Sequence, residues 1–105
     1  MTTVAAFVPD LMDRSKVAGA AGPATEVTFV RSPDELAGRG ADLAVVDLSR
    51  PGALEALSAL AEAGARTVGF ASHVDRELME AARAAGCEQV LPRSRFFATL
   101  GELLR

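Results

Sequence analysis

Two carboxylates, a hydroxyl group and a guanidinium group each follow or end a short apolar run in this chain of 105 residues. Asp10 follows the run of residues 4–8, and Asp47 comes directly after four consecutive apolar residues. Ser72 and Arg93 come just after two later runs. Oxygen ligands suit Mg²⁺, which usually needs only one or two carboxylates together with water. A crevice with these four groups could hold a divalent cation or an anion such as a phosphoryl group.

Strand and helix signals alternate along the chain, and this order predicts where the four groups lie. Short apolar runs predict five strands, and capped stretches between them predict helices. Such alternation is typical of right-handed crossovers on a parallel sheet with helices on both faces. We predict one three-layer α/β domain over residues 1–105, of the (βα)5 flavodoxin-like type, with strand order 2-1-3-4-5. The carboxyl ends of its strands share one edge, so residues 10, 47, 72 and 93 are predicted to meet there.

Individual helices also carry predictions. The first, over residues 10–22, is predicted to have Asp10 as its N-cap and an inward face of Leu11, Ser15, Ala18 and Ala21. Ser32 and Pro33 predict a brief helix before the third strand. Ser72 is predicted to cap the helix after the fourth strand. A closing helix is predicted to carry an apolar band, Phe96, Phe97, Leu100, Leu103 and Leu104.

Composition limits the classes of function. The net charge is −3 and no basic stripe occurs, so we predict no nucleic-acid partner. No apolar run approaches the roughly 18 residues of a membrane span, and the N-terminus lacks the features of a signal peptide. We therefore predict a cytoplasmic protein that does not bind membranes. Cys87 is the single cysteine, which permits no internal disulfide, and we predict that it is a buried small apolar residue.

The chain resembles the receiver domain of two-component response regulators, including the single-domain chemotaxis type. The segment of residues 42–52, with Asp47 inside it, resembles the phosphoacceptor segment of that family. Ser72 stands at the family's hydroxyl position, and Arg93 stands where the family has a lysine. Pro9-Asp10 stands where the family has an acidic pair. The resemblance covers nearly the whole chain through the order and spacing of its elements.

The resemblance implies roles for the matched residues. Asp47 would be the phosphoacceptor, with Ser72 and Arg93 beside the phosphoryl group. Mg²⁺ would be held by Asp10, by the Asp47 carboxylate and by the carbonyl oxygen of Ser49.

Several departures from the family's pattern argue for an atypical site. Pro9 removes one carboxylate, so Mg²⁺ binding is predicted to be weak or absent. The planar guanidinium of Arg93 does not reproduce the compact ammonium of a lysine. Val90 stands where the family usually has an aromatic residue, and His73 stands where it prefers a small one.

Simpler interpretations stay open for the same residues. Asp47 could merely cap the next turn, and Asp10 could serve only as a helix cap. Arg93 could form a permanent ion pair with Asp47 that mimics or blocks the phosphorylated state. His73 is predicted to be a solvated loop residue, with occlusion of the site or a pH-dependent contact as its alternatives.

Three hypotheses about function follow. The first is a stand-alone pseudo-receiver, not an enzyme, which acts by protein–protein interaction and has an impaired phosphoacceptor site. Its partner would be a histidine kinase, another regulator or a second copy. A homodimer would pair through the last two helices and the last strand. The second is a competent single-domain response regulator with Mg²⁺-dependent phosphoryl transfer to Asp47. The third, ranked lower, is a flavodoxin-like domain that binds a small ligand, although no Gly-rich phosphate loop follows the first strand.

Overall fold

Strands and helices alternate through residues 1–104, the part of the chain that the computed structural model describes. The strands are β1 (Thr2–Phe7), β2 (Thr25–Phe29), β3 (Leu43–Asp47), β4 (Arg66–Ala71) and β5 (Gln89–Pro92). The α-helices are α1 (Leu11–Ala20), α2 (Ala53–Glu62), α3 (Arg76–Ala84), α4 (Arg93–Ala98) and α5 (Leu100–Leu103).

The five strands form one parallel sheet in the order β2-β1-β3-β4-β5. This confirms the predicted flavodoxin-like architecture. Since all strands run the same way, the ends of β1, β3, β4 and β5 lie along one edge of the sheet, and the reversal of strand order falls between β1 and β3.

The connection between β2 and β3 contains two short 3₁₀ turns, Pro33–Glu35 and Ala37–Arg39, instead of the predicted brief α-helix. The backbone N–H of Ser32 donates to the Glu35 carboxylate at 2.9 Å, which fixes the first turn. Gly40 ends the second turn at a φ of 61°, a left-handed conformation that glycine adopts without strain. The glycine-flanked segment is too short to continue as a helix.

Strand β3 is buried on both faces, as its apolar run predicts. Val46 belongs to a core cluster with Leu57 of α2, whereas Val45 belongs to a second cluster on the opposite face. The second cluster includes Phe70 and Phe96, whose rings stack with their centroids 4.3 Å apart. Helices therefore cover both faces of the sheet.

The inward face predicted for α1 is wrong. Leu11 is 75% exposed, while Asp13 and Val17 are the buried residues of the helix. Val17 lies one turn after Asp13, so the two share one face. The prediction placed the apolar Leu11 inside and did not allow for a buried carboxylate, which is tolerated here because Asp13 has a cationic partner.

The closing helix is divided at Thr99, whose hydroxyl donates to the carbonyl oxygen of Arg95 at 2.9 Å. Phe96, Leu100 and Leu104 are buried in the core, whereas Phe97 and Leu103 are half-buried. Cys87 is buried, as predicted. None of the helices found in residues 1–104 is long and apolar enough to cross a membrane.

Candidate functional site

Asp47 is the buried carboxylate at the carboxyl edge of the sheet, with only 2% of its surface exposed. It ends β3, opposite Phe70 of β4, and the next N–H, that of Leu48, donates to the Phe70 carbonyl oxygen at 3.0 Å. The Oδ1 atom of Asp47 accepts hydrogen bonds from the backbone N–H and the hydroxyl of Ser49, at 3.1 and 2.6 Å. Two local donors therefore hold this oxygen.

The second oxygen of the Asp47 carboxylate faces Arg50. The Nε atom of Arg50 lies 3.4 Å from Oδ2 of Asp47, and the Arg50 side chain is 42% exposed. Arg50 was not among the residues predicted for the site. Its spacing of three residues from Asp47, within the turn that leads to α2, is a local signal that could have identified it.

Asp10 lies at the same edge and is exposed. Its Oδ1 atom accepts a hydrogen bond from the backbone N–H of Asp13 at 2.9 Å, so Asp10 is the N-cap of α1, as predicted. That N–H is the main cause that lowers the pKa of Asp10. Desolvation opposes it, while the N–H of Met12 and the charges of Arg50 and Arg93 lower the pKa further.

Arg93 binds Asp13 and does not form the permanent pair with Asp47 that one interpretation of the sequence suggested. Its Nη2 atom lies 2.8 Å from Oδ1 of Asp13, whose side chain is 5% exposed. The guanidinium carbon lies 5.4 Å from the ring centre of Phe70 and 5.3 Å from that of Phe97. The hydrogen bond that Arg93 donates to Asp13 is the largest cause that raises the pKa of Arg93; desolvation opposes it, and the charges of Asp13, Asp47 and Asp10 add to it.

Two physical reasons explain this choice of partner. The Asp47 oxygens already have donors in Ser49 and Arg50, whereas Asp13 would be a buried charge without Arg93. The aromatic rings of Phe70 and Phe97 also attract the guanidinium and favour its position over them. Asp13 was not among the residues predicted for the site, and the signal for its burial is the β-branched Val17 one turn later.

Ser72 and His73 follow β4 on the surface and are both exposed. The Ser72 hydroxyl oxygen lies 3.5 Å from the backbone N of Val74, at the limit of a hydrogen bond. The predicted capping role of Ser72 is wrong, because Asp75 is the N-cap of α3 and accepts from the N–H of Leu78 at 3.3 Å. The α3 helix begins later than the sequence suggests.

The structure therefore brings Arg93 close enough to Asp10 and Asp47 for the charges of both carboxylates to raise its pKa. Ser72 follows the adjacent strand at the same edge, but in the described chain no hydrogen bond joins it to those three residues.

The residues that the resemblance assigns to Mg²⁺ do not fit a divalent cation as they are arranged. Both Asp47 oxygens already accept hydrogen bonds from protein donors, one of them a cation. Nor does any group of three or more His, Cys, Asp or Glu side chains in residues 1–104 converge as metal ligands would. The donor set is thus reduced to two carboxylates, of which one is ion-paired, and a backbone carbonyl.

No protein-family model matches the chain, and no curated protein matches its sequence. Solved structures do match. A response regulator from Hahella chejuensis has a TM-score of 0.84 and 17% identity, with 99% of this chain and 92% of that chain covered. The Mn²⁺-bound form of the response regulator Rcp1 has a TM-score of 0.77 and 12% identity, with 98% and 91% covered.

A putative pilus assembly protein from Burkholderia thailandensis has a TM-score of 0.72 and 17% identity, with 99% of this chain and 95% of that chain covered. The chain therefore has the fold of response-regulator receiver domains over nearly its whole length. At such low identity the likeness is one of fold. A pilus assembly protein among the matches illustrates that one fold hosts several functions.

Proposed function

We propose that residues 1–105 act as one receiver-like signalling module, which docks to other proteins and has an impaired phosphoacceptor site. The observation that carries this proposal is the environment of Asp47, whose two oxygens are held by Ser49 and by Arg50. A carboxylate with these partners resembles a structural strand-end group more than a free nucleophile.

The second cation of the site supports the same proposal. Phosphoryl transfer depends on positive charge placed where negative charge develops on the phosphoryl oxygens. Arg93 would supply that charge, but it is held by Asp13 on the aromatic faces of Phe70 and Phe97. Moving Arg93 to Asp47 would leave a buried carboxylate unpaired, which is unfavourable.

Mg²⁺ is proposed to bind weakly or not at all. A structural relative, the response regulator Rcp1, is known in a Mn²⁺-bound form. In this chain Pro9 replaces one carboxylate of the acidic pair, and Arg50 is paired with Asp47. Both features reduce the attraction of the site for a dication.

The proposed module is not an enzyme, and its partners would be a histidine kinase, another regulator or a second copy, met in the cytoplasm. Pairing of two copies is proposed for the surface of α3, β5 and the last helices. Since Phe96, Leu100 and Leu104 are buried in the core, such a surface would use the half-buried Phe97 and Leu103. The net charge of −3 supports protein partners over nucleic acid.

The proposal is tested by incubation of the protein with Mg²⁺ and a small phosphodonor, followed by intact mass spectrometry. We expect no phosphorylated species in the wild-type chain, since Asp47 is held by its neighbours. An adduct of one phosphoryl group that forms in the wild type and not in Asp47→Asn would establish the alternative, a phosphorylation-competent response regulator.

A small-ligand site is the weaker candidate. One cavity of about 510 Å³ is lined by Thr2, Asp42 and Arg66, which stand where strands begin. That edge is opposite to Asp47, and ligands of open parallel sheets bind at the carboxyl ends of the strands. A nucleotide or chromophore retained in native mass spectrometry would favour this candidate instead.

A further inference from the structure

We infer that Arg50 is a built-in cation of the site, which takes the place of a divalent metal ion beside Asp47 and must be displaced before one can bind. The inference deepens the proposed function and rests on its assignment of Asp10 and Asp47 to one site.

Two backbone hydrogen bonds hold Arg50 in the turn that follows Asp47. The backbone N–H of Arg50 donates to the carbonyl oxygen of Asp47 at 3.4 Å, and the carbonyl oxygen of Arg50 accepts from the N–H of Ala53 at 3.2 Å. These bonds hold the turn between β3 and α2. From this turn the side chain of Arg50 reaches back to Asp47, and its Nε atom lies 3.4 Å from Oδ2 of that buried residue.

The orientation of the Asp47 carboxylate leaves Oδ2 as the atom for a cation. Ser49 donates two hydrogen bonds to Oδ1 and none to Oδ2. A cation that binds Asp47 from the solvent side would therefore meet Oδ2, and Arg50 already lies there. The Arg50 side chain is 42% exposed, so it reaches the buried carboxylate from the surface.

Asp10 is the second carboxylate at this edge of the sheet, and it enters the same balance of charge. Arg93 contributes less to this balance, since its nearest counterion is Asp13. With Arg50 in place, Asp10 and Asp47 present a single net negative charge. Without Arg50 they would present two, which is the charge that a Mg²⁺ or Mn²⁺ site commonly offers.

A guanidinium and a hydrated dication compete unequally for this position. The guanidinium is weakly hydrated, whereas Mg²⁺ keeps its water tightly and binds mainly through charge. Arg50 is tethered beside Asp47 by only three residues of chain, so its effective concentration there is high. Removal of Arg50 should therefore raise divalent-cation affinity even though it removes no metal ligand.

The test uses Mn²⁺ as the probe and ¹⁵N-labelled protein. Paramagnetic broadening of the amide signals of Asp10, Asp47 and Ser49 is titrated in the wild type, Arg50→Ala and Arg50→Gln. Arg39→Ala is the matched control. Arg39 is exposed and precedes β3 at the opposite edge of the sheet, and its replacement by alanine removes the same single positive charge. Amide spectra and circular dichroism establish that each variant is folded.

We expect both Arg50 variants to bind Mn²⁺ about tenfold or more tightly than the wild type, because one unit charge beside the site is removed. Arg39→Ala should match the wild type, and Asp47→Asn in the Arg50→Ala background should abolish the gain. Equal affinity in the wild type and both Arg50 variants, or an equal gain in Arg39→Ala, would overturn the inference.

The two proposals fail separately. If the Arg50 variants gain no Mn²⁺ affinity while the wild type still accepts no phosphoryl group, the role of Arg50 is lost and the proposed function stands. If the wild type is phosphorylated on Asp47, the proposed function is lost whatever the Arg50 variants show.

Discussion

Asp13 determines where Arg93 is held. The carboxylate of Asp13 is buried on the inner face of α1, and the guanidinium of Arg93 reaches it across the aromatic rings of Phe70 and Phe97. Because a buried carboxylate without a partner is unfavourable, the pair fixes the position of the arginine. The pairing with Asp13 therefore keeps Arg93 from forming an ion pair with Asp47.

Replacement of Asp13 by Asn should lower the free energy of unfolding by about 1–3 kcal/mol, nearer the lower figure because Arg93 is partly solvated. The reason is the loss of a charged hydrogen bond and of the counterion of Arg93. Urea unfolding followed by circular dichroism measures the effect. Glu26→Gln is the control, because Glu26 is exposed and its replacement also removes one negative charge. Equal stability of the two variants would show that the pair does not stabilise the fold.

Asp42 connects the beginnings of β1 and β3. Its carboxylate accepts from the backbone N–H of Thr3 at 2.9 Å and from the Thr3 hydroxyl at 3.2 Å. The backbone hydrogen bond is the main cause that lowers the pKa of Asp42 below its ordinary value of 3.8. The unfolded chain therefore takes up a proton at higher pH than the folded protein does.

The free energy of unfolding should fall as the pH drops from about 5 to about 3. The stabilising contribution of Asp42 is complete above the pKa of the unfolded chain, and it is lost as the pH falls through the lower pKa of the folded protein. Asp42→Asn should show a shallower decline, since its amide does not titrate. Urea midpoints at several pH values measure the difference. A decline of unchanged steepness in Asp42→Asn would contradict this contribution.

At the scale of elements, β3 and β4 approach each other closely next to the site. A Cβ atom added to Gly69 would lie 2.8 Å from a side-chain atom of Leu48, the buried residue directly after Asp47. Both Leu48 and the β4 backbone are confined by the core, so neither can yield easily. The glycine in β4 is thus required by packing and not by backbone conformation.

Gly69→Ala should lower the free energy of unfolding by about 1–3 kcal/mol, because Leu48 is pushed from its place. Gly19→Ala is the matched control: no atom lies within 4 Å of its added Cβ, and the residue is in α1. That variant should be unchanged or more stable by about 0.5 kcal/mol, since alanine favours the helix. Chemical denaturation compares the two, and a Gly69→Ala protein as stable as Gly19→Ala would contradict the packing argument.

For the whole molecule, the sheet order was predictable because strand and helix signals alternate with short connections, and few topologies satisfy that pattern. The position of Asp47 at the end of a buried strand follows from the same pattern. The partner of Arg93 could not be predicted, since Asp13 lies 80 residues away in the chain and its burial depends on how α1 is turned. The N-cap of α3 could not be predicted either. Ser72 and Asp75 are both good capping residues, and the geometry of the loop determines which of them caps the helix.

The carboxyl edge of the sheet as a whole presents two carboxylates that are paired with arginines and a third that caps a helix. Asp47 is paired with Arg50, Asp13 is paired with Arg93, and Asp10 caps α1 within reach of both cations. The three carboxylates and two guanidinium groups together leave one unit of negative charge at this edge.

The most direct test of this account is the amide spectrum of the wild-type protein with Mg²⁺ and beryllofluoride, which imitates a phosphoryl group on a carboxylate. We predict that the signals of Asp47, Ser49 and Ser72 do not move as beryllofluoride is added. Saturable shifts of these signals that are absent in Asp47→Asn would contradict the account, because they would show that Asp47 accepts a phosphoryl-like group despite Ser49 and Arg50.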